Sequence, residues 1–341
     1  MKRSPEASIA VIGAGSWGTA LAKLLSDKGH RVSLWAHRPE HVKQIRQEKE
    51  NSTYLPGFFL SDRLTPLSDL AEVVREKNFI VMVVPSHVFR SVFSQVVPLL
   101  AEKTIVVSAT KGIENESLMT MSQVMEDELS KCEKKAEVGV LTGPSFAKEV
   151  AAGTPTAVTV ASHDLETART IQDLFFTERF RVYTSTDIIG QELGAALKNI
   201  IAVAAGICDG LGYGTNTRAA LITRGLAEIT RLGVKMGANP LTFSGLGGMG
   251  DLVLTCTGDL SRNRTVGLKL GQGKKLADIL KEMNMVAEAV KTTKSAMALA
   301  RREQVDMPIL EQIYLVLYEE KDCREAVHDL LTRDQKEEMD I

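Results

Sequence analysis

The chain has 341 residues, more than one hydrophobic core usually serves, so two domains are expected. A hydrophobic share of 44% against 25% charged residues fits a globular chain, and a net charge of −2 leaves no general basic field for nucleic acid or anionic lipid. Cys132, Cys208, Cys256 and Cys323 form no short-spaced pair, which argues against a disulfide framework or zinc site and fits a reducing compartment. No apolar segment of secretory type precedes Ile9, so a cytoplasmic location is the simplest expectation.

Short apolar runs then alternate with helical patterns up to about residue 185. Ile9–Ile12, Arg31–Ala36, Phe79–Val84, Thr104–Ser108, Val138–Leu141, Thr156–Val160 and Phe180–Tyr183 read as strands. The most apolar and β-branched of them suit a parallel sheet covered on both faces. Strands alternating with helices predict βαβ units and a doubly wound α/β sheet. Beyond about residue 187 the strand signal stops. The segments 191–211, 216–236, 262–270, 286–302 and 309–318 read as helices, punctuated by Pro240 and Pro308. The expected division is a Rossmann domain over 1–186 and an all-α domain over 187–341. The stretch Leu193–Cys208 is apolar but too short for a membrane span, and it carries Lys198 and Asn199, so a buried core helix is expected.

The first strand runs into Gly13-Ala14-Gly15-Ser16-Trp17-Gly18, a glycine turn that opens a helix. In that context the spacing is a dinucleotide-binding fingerprint. Gly13 makes the tight turn, Gly15 admits the pyrophosphate to the backbone, and Gly18 lets helix and strand approach. The helix N-terminus offers unpaired N–H groups to phosphate, and Ser16 and Trp17 lie in its first turn. NAD-specific domains place an acid at the end of the second strand, whereas this strand ends Ala36-His37-Arg38. An arginine there accepts the 2′-phosphate of NADP, so NADPH is expected to be favoured over NADH. His37 and His41 have metal-pair spacing, but Pro39 lies between them and no third ligand is near, so no metal is expected.

Hydride transfer with a nicotinamide still requires the protein to move a proton. Lys198 is the only basic residue between Gln191 and Leu211, set among Ala, Ile, Leu and Val. An ammonium is rarely buried without a task, which makes Lys198 the candidate acid and base. A lysine at a helix edge with its head in solvent is the plain alternative. The run Ser244–Asp251 places four glycines before an acid, which allows close approach of a ligand or of another helix. Asp251 there is a candidate to orient Lys198 or to hold a substrate hydroxyl. Ser261-Arg262-Asn263-Arg264 stands at a helix start and suits an oxyanion or phosphate, or is only an ordinary capped helix with exposed arginines. Lys111 follows the Thr104–Ser108 strand, and Gly143-Pro144-Ser145-Phe146-Ala147 follows the Val138–Leu141 strand. Both lie at carboxyl ends of strands, where ligands of such sheets sit.

These motifs in this order resemble the bacterial-type NAD(P)-dependent sn-glycerol-3-phosphate dehydrogenases, from about Ile9 to Arg333. The resemblance rests on Gly13–Ala20, Tyr54–Gly57, Val84–Ser86, Lys111–Glu114, Leu141–Ala147, Leu197–Ile200, Gly247–Leu252, Ser261–Asn263 and Val286–Glu288. It implies interconversion of dihydroxyacetone phosphate and sn-glycerol 3-phosphate, feeding phospholipid synthesis, with Lys198 as proton acceptor. By the same resemblance Lys111, Gly143, Ser145, Lys198, Asp251, Ser261, Arg262 and Asn263 contact substrate. Ser16, Trp17, His37, Lys111, Ala147, Arg262, Val286 and Glu288 contact the cofactor beside Gly13, Gly15 and Gly18. The family often has Arg where this chain has His37. Asn199 and Thr255 resemble positions that assist catalysis in related eukaryotic enzymes. The expected partners are a small phosphorylated substrate and a second copy of the chain, with no nucleic acid and no integral membrane segment. The rival readings are a related 2-keto acid or β-hydroxyacid reductase, and a non-catalytic NADP-sensing module.

Overall fold

A computed structural model describes residues 6–283, 288–335, 337 and 338. The chain divides into two compact units. One comprises Met1–Lys111 with Met121–Ile188, and the other comprises Gly112–Thr120 with Ile189–Ile341. The pattern of the sequence places residues 112–120 with the strands around them. Instead, Ser295 Oγ of the second unit donates to the Ile113 carbonyl at 3.2 Å.

The first unit begins with β1 (Ser8–Ile12), α1 (Ser16–Asp27), β2 (Arg31–Trp35) and α2 (Pro39–Glu48). A small antiparallel hairpin, β3 (Glu50–Asn51) and β4 (Leu55–Phe59), precedes β5 (Leu64–Leu67) and α3 (Leu70–Val74). Then come β6 (Phe79–Met82), α4 (Ser86–Val96), β7 (Ile105–Ser108), α5 (Met121–Lys131) and β8 (Glu137–Thr142). The unit closes with α6 (Ala147–Ala151), β9 (Thr156–Ala161), α7 (Leu165–Phe175) and β10 (Phe180–Ser185). The eight-stranded sheet has the order β10-β9-β8-β7-β6-β1-β2-β5. All seven strands read from the sequence are present; β5 and the hairpin are additions.

One pairing departs from the expected parallel sheet, since β8 and β9 run antiparallel. Their connection, residues 143–155, contains only the five-residue α6. A parallel crossover needs a helix long enough to span the sheet, and the five-residue α6 is not, so the chain turns back and β9 runs antiparallel. At the other side of the sheet the chain moves outward from β1 through β2 to β5, then returns to place β6 beside β1. The order therefore reverses at β1 and β6, and the crevice beyond their carboxyl ends is where such sheets bind ligands. Helix α1 covers β1 with Ala20, Leu21, Ala22 and Leu25, all fully buried. Truncating either leucine to alanine there costs about 2–5 kcal/mol. Gly29, at φ 109°, ends the segment in a conformation that favours glycine.

The second unit is helical: α8 (Ile188–Gly210), α9 (Thr215–Lys235), α10 (Asp251–Thr257), α11 (Arg262–Gly271), α12 (Leu276–Glu282), α13 (Glu288–Glu303), α14 (Pro308–Tyr318) and α15 (Cys323–Leu331). Helix α8 has the length and composition of a membrane span, yet 89% of its most apolar window is buried, so it is a core helix. Its apolar residues form the centre of a cluster that includes Leu193, Leu197, Ile200, Ile201, Leu252 and Val266. Glycines let backbones meet along α8. A Cβ on Gly206 or Gly210 would strike the carbonyl of Arg264 or Leu268, and one on Gly267 or Gly271 would strike that of Val203 or Ile207. Helices α8 and α11 thus cross through two four-residue glycine repeats, which fixes their separation.

Candidate active-site elements

In the first unit, the three turn glycines divide by function. Gly13 has φ 122°, and a Cβ on it would lie 2.7 Å from the Val83 carbonyl oxygen at the end of β6. A Cβ on Gly18 would run into the Gly13 carbonyl oxygen. Around Gly15 nothing lies within 4 Å of that position. Two glycines thus hold the turn against strand and helix, and the third leaves room for an incoming group. Helix α1 has no side-chain cap and no acid in its first turn, so its positive end is not neutralised locally. The Trp17 indole Nε1 is buried without a hydrogen-bond partner. A buried donor in that state calls for an acceptor, and these features fit a dinucleotide pyrophosphate on the helix N-terminus.

The end of β2 carries the other cofactor candidates. His37 is exposed and stacks on Trp35, with ring centroids 6.0 Å apart and planes 13° apart. Arg38 donates from Nη2 to the Tyr54 hydroxyl at 3.2 Å. His41 is held by Asn51 Oδ1 at 2.9 Å rather than by a neighbouring histidine. Neighbouring parallel strands β7 and β8 bring Lys111, Gly143 and Ser145 together. Lys111 Nζ donates to the Gly143 carbonyl at 3.3 Å and Ser145 Oγ donates to the same oxygen at 3.0 Å. Gly143 has φ 117°, a backbone conformation that favours glycine. Ala147 begins α6, which packs on α1.

In the second unit, Lys198 of α8 is 4% exposed. Its Nζ donates to Thr255 Oγ1 at 2.6 Å and to Asn199 Oδ1 at 3.2 Å, and lies 3.1 Å from Asp251 Oδ1. Asp251 is 1% exposed, and Thr255 in turn donates to the Asp251 carbonyl at 2.6 Å. A buried ammonium is costly unless paired and hydrogen-bonded, and here it is both. The glycine-rich run is what lets Asp251 reach it. A Cβ on Gly194, one helical turn before Lys198, would lie 2.6 Å from the Gly247 carbonyl oxygen. Of the two uses of those glycines, close helix approach is the one seen at Gly194 and Gly247.

Ser261 is the N-cap of α11, its Oγ accepting from the Arg264 amide at 3.3 Å. Asn263 Oδ1 accepts from the Ala289 amide at 3.2 Å and so also secures the start of α13. Arg262 is exposed and its guanidinium has no partner among the described residues. With the caps made, this helix start presents mainly donors, which is what a phosphate needs. Arg264 Nε pairs with Asp209 Oδ2 at 2.8 Å, and Arg218 shares the same carboxylate, tying α11 to α8 and α9. Glu288 begins α13, while Val286 lies outside the described residues. Cysteine chemistry is unsupported here, because burial pushes the Cys256 thiol up to about 12 and that of Cys208 up to about 11.

Sequence reasoning missed Asn51, Thr19 and Asp209, and it placed Arg264 among the phosphate candidates, whereas Arg264 is held by Asp209. The only hint for Asp209 was a charge at the end of an apolar stretch. Asn51 sits in a polar run that reads as loop.

Profiles described as NAD-dependent glycerol-3-phosphate dehydrogenase N-terminus and C-terminus match residues 8–168 and 187–328. A relative from Syntrophotalea carbinolica named glycerol-3-phosphate dehydrogenase [NAD(P)+] is 60% identical, over 98% of this chain and 100% of that one. One of the same name from Geobacter sulfurreducens is 58% identical, over 97% and 98%. The crystal structure of glycerol-3-phosphate dehydrogenase from Coxiella burnetii is similar with a TM-score of 0.92 at 40% identity, covering 96% of this chain and 99% of that one. With both units matched and such identity along their length, the chain belongs to the NAD-dependent glycerol-3-phosphate dehydrogenase family.

Proposed function

We propose that this chain interconverts dihydroxyacetone phosphate and sn-glycerol 3-phosphate with NAD(P)H, Lys198 moving the proton. The observation that carries the assignment of roles is the buried Lys198 ammonium held by Thr255, Asn199 and Asp251. The nicotinamide, when bound, supplies or takes up the hydride. Lys198 Nζ gives its proton to the ketone oxygen in reduction and takes it from the hydroxyl in oxidation. Thr255 and Asn199 fix where Nζ points, and the Asp251 carboxylate favours return of the proton to the amine. Arg262 and the start of α11, with Ser261 and Asn263, receive the phosphate. Lys111, Gly143 and Ser145 are assigned substrate contacts, and Lys111 also touches the cofactor.

For the cofactor, Gly13, Gly15, Gly18, Ser16, Trp17, His37, Ala147, Arg262, Val286 and Glu288 are the assigned contacts. NADPH is the favoured form because β2 ends without an acid and Arg38 stands there. The enzyme works in the cytoplasm as a homodimer in this reading. Addition of dihydroxyacetone phosphate to enzyme and NADPH is expected to oxidise the nucleotide, whereas a 2-keto acid is not. Oxidation by the keto acid alone would establish the rival reductase. The Michaelis constant for NADPH is expected below that for NADH, and a strong preference for NADH would sink the role given to Arg38.

A further inference from the structure

Outside the residues assigned so far, the most fully hydrogen-bonded buried side chain beside the glycine turn is Asn51, which is 0% exposed. Its Nδ2 donates to the Ala14 carbonyl at 2.9 Å and to Thr19 Oγ1 at 2.7 Å. Its Oδ1 accepts from the Tyr54 amide at 3.2 Å and meets His41 Nε2 at 2.9 Å. Both donors and both acceptor positions of the amide are therefore used. The same hairpin makes a second hold on the turn, since Ser16 Oγ donates to the Tyr54 carbonyl at 2.6 Å. A hydrophobic side chain would anchor a short hairpin as well. An amide is required where the direction of a peptide group must be fixed.

That peptide group joins Ala14 to Gly15. Across a trans peptide the C=O and the following N–H point in opposite directions. Holding the Ala14 oxygen toward Asn51 therefore turns the Gly15 N–H away from it, and this N–H meets no acceptor among the described residues. The Gly15 side of the turn is also the open one. We propose that the β3–β4 hairpin is a clamp on the phosphate turn, and that Asn51 is a positioning residue that aims the Gly15 N–H at the cofactor pyrophosphate. The proposal rests on the reading of the turn as the dinucleotide site.

The clamp serves a part common to NADH and NADPH, so its loss weakens both. Tyr54 separates this from 2′-phosphate selection, because among the described residues its hydroxyl bonds only to Arg38. Dissociation constants for NADPH and NADH, read from nucleotide fluorescence with the intact chain, give the test. Asn51→Asp keeps the shape and removes both donors. It is expected to raise both constants about tenfold, as loss of an aimed charge-assisted bond does, with kcat at saturating cofactor within about twofold. Tyr54→Phe is expected to weaken NADPH and leave NADH unchanged. A folded Asn51→Asp with a lower melting temperature and unchanged constants makes Asn51 structural only and overturns the proposal. Should that variant not fold, the isosteric Thr19→Val decides, since it removes one of the amide's partners. Both constants then rise about two- to threefold, on the scale of a weakened neutral bond, or the proposal fails. A wild-type chain that binds neither nucleotide overturns the parent reading of the turn as well.

Discussion

The two units both use runs of glycine, and they use them for opposite ends. In the turn after β1, Gly13 and Gly18 are closed against backbone while Gly15 faces open space. In the second unit, Gly194, Gly206, Gly210, Gly267 and Gly271 are all filled by a neighbouring backbone. A glycine in sequence states only that a side chain is unwelcome. What takes its place, a ligand or another helix, is decided by the packing around it. The comparison predicts that substitutions at the closed glycines act on stability and that a substitution at Gly15 acts on binding.

The largest effect is expected at the α8–α11 crossing. Gly206→Val puts a branched side chain into the Arg264 carbonyl, and overpacking of this kind costs about 1–3 kcal/mol or more. Urea denaturation should show a lowered midpoint for the second unit, and an unchanged midpoint would mean the helices are not locked there. A second stability effect in that unit comes from Glu228, which is 2% exposed. Burial pushes its carboxyl up to about 7, against the hydrogen bonds that the Ile309 and Leu310 amides donate to it. The unfolded carboxyl titrates near 4.3, so between about pH 4.5 and 7 the native state holds more protons than the unfolded one. This group's contribution is present at the acidic side and is lost as pH rises through that window. Denaturation at the two ends of the window should show the slope, and Glu228→Gln should flatten it.

Arg262 comes next. Arg262→Ala removes a free guanidinium from the proposed phosphate receptor, and charge-assisted bonds are worth about 1.5–3 kcal/mol. The Michaelis constant for dihydroxyacetone phosphate should rise about 10- to 150-fold, well beyond the change for NADPH, with the melting temperature unmoved. The smallest stability effect is expected at Gly15. Its φ of −72° suits any residue and its surroundings are open, so Gly15→Ala should stay within about 0.5 kcal/mol of wild type. Nucleotide binding should nevertheless weaken. A Gly15→Ala chain that is strongly destabilised would erase the contrast between the two units.

Much of this was legible in the sequence because it is written in local pattern. The seven main strands are short, largely apolar runs, and α8 is a long, mainly apolar helix, so neither needs tertiary context to be seen. Lys198 was legible by contrast, the only basic residue in that helix, and Asp251 by the glycines before it. The antiparallel β9 was not, because strand direction depends on what a connection can span rather than on the strand's own residues. The hairpin was missed because Glu50–Tyr54 is polar and short. Its meaning lies in the distant Ala14 and Thr19, and no local period records a contact over more than thirty positions. Asp209, whose partner Arg264 is equally remote in sequence, was missed for the same reason.

The central claim is that a buried, paired lysine moves the proton while other residues bind the ligands. Its most direct test is the rate of NADPH oxidation on addition of dihydroxyacetone phosphate to wild type and to Lys198→Met, with NADPH affinity measured on both. The methionine keeps the length and removes the charge. The account predicts NADPH binding within a few-fold and turnover reduced about 10²–10⁴-fold, the usual worth of a general acid–base group. Turnover of the variant equal to that of wild type would contradict it.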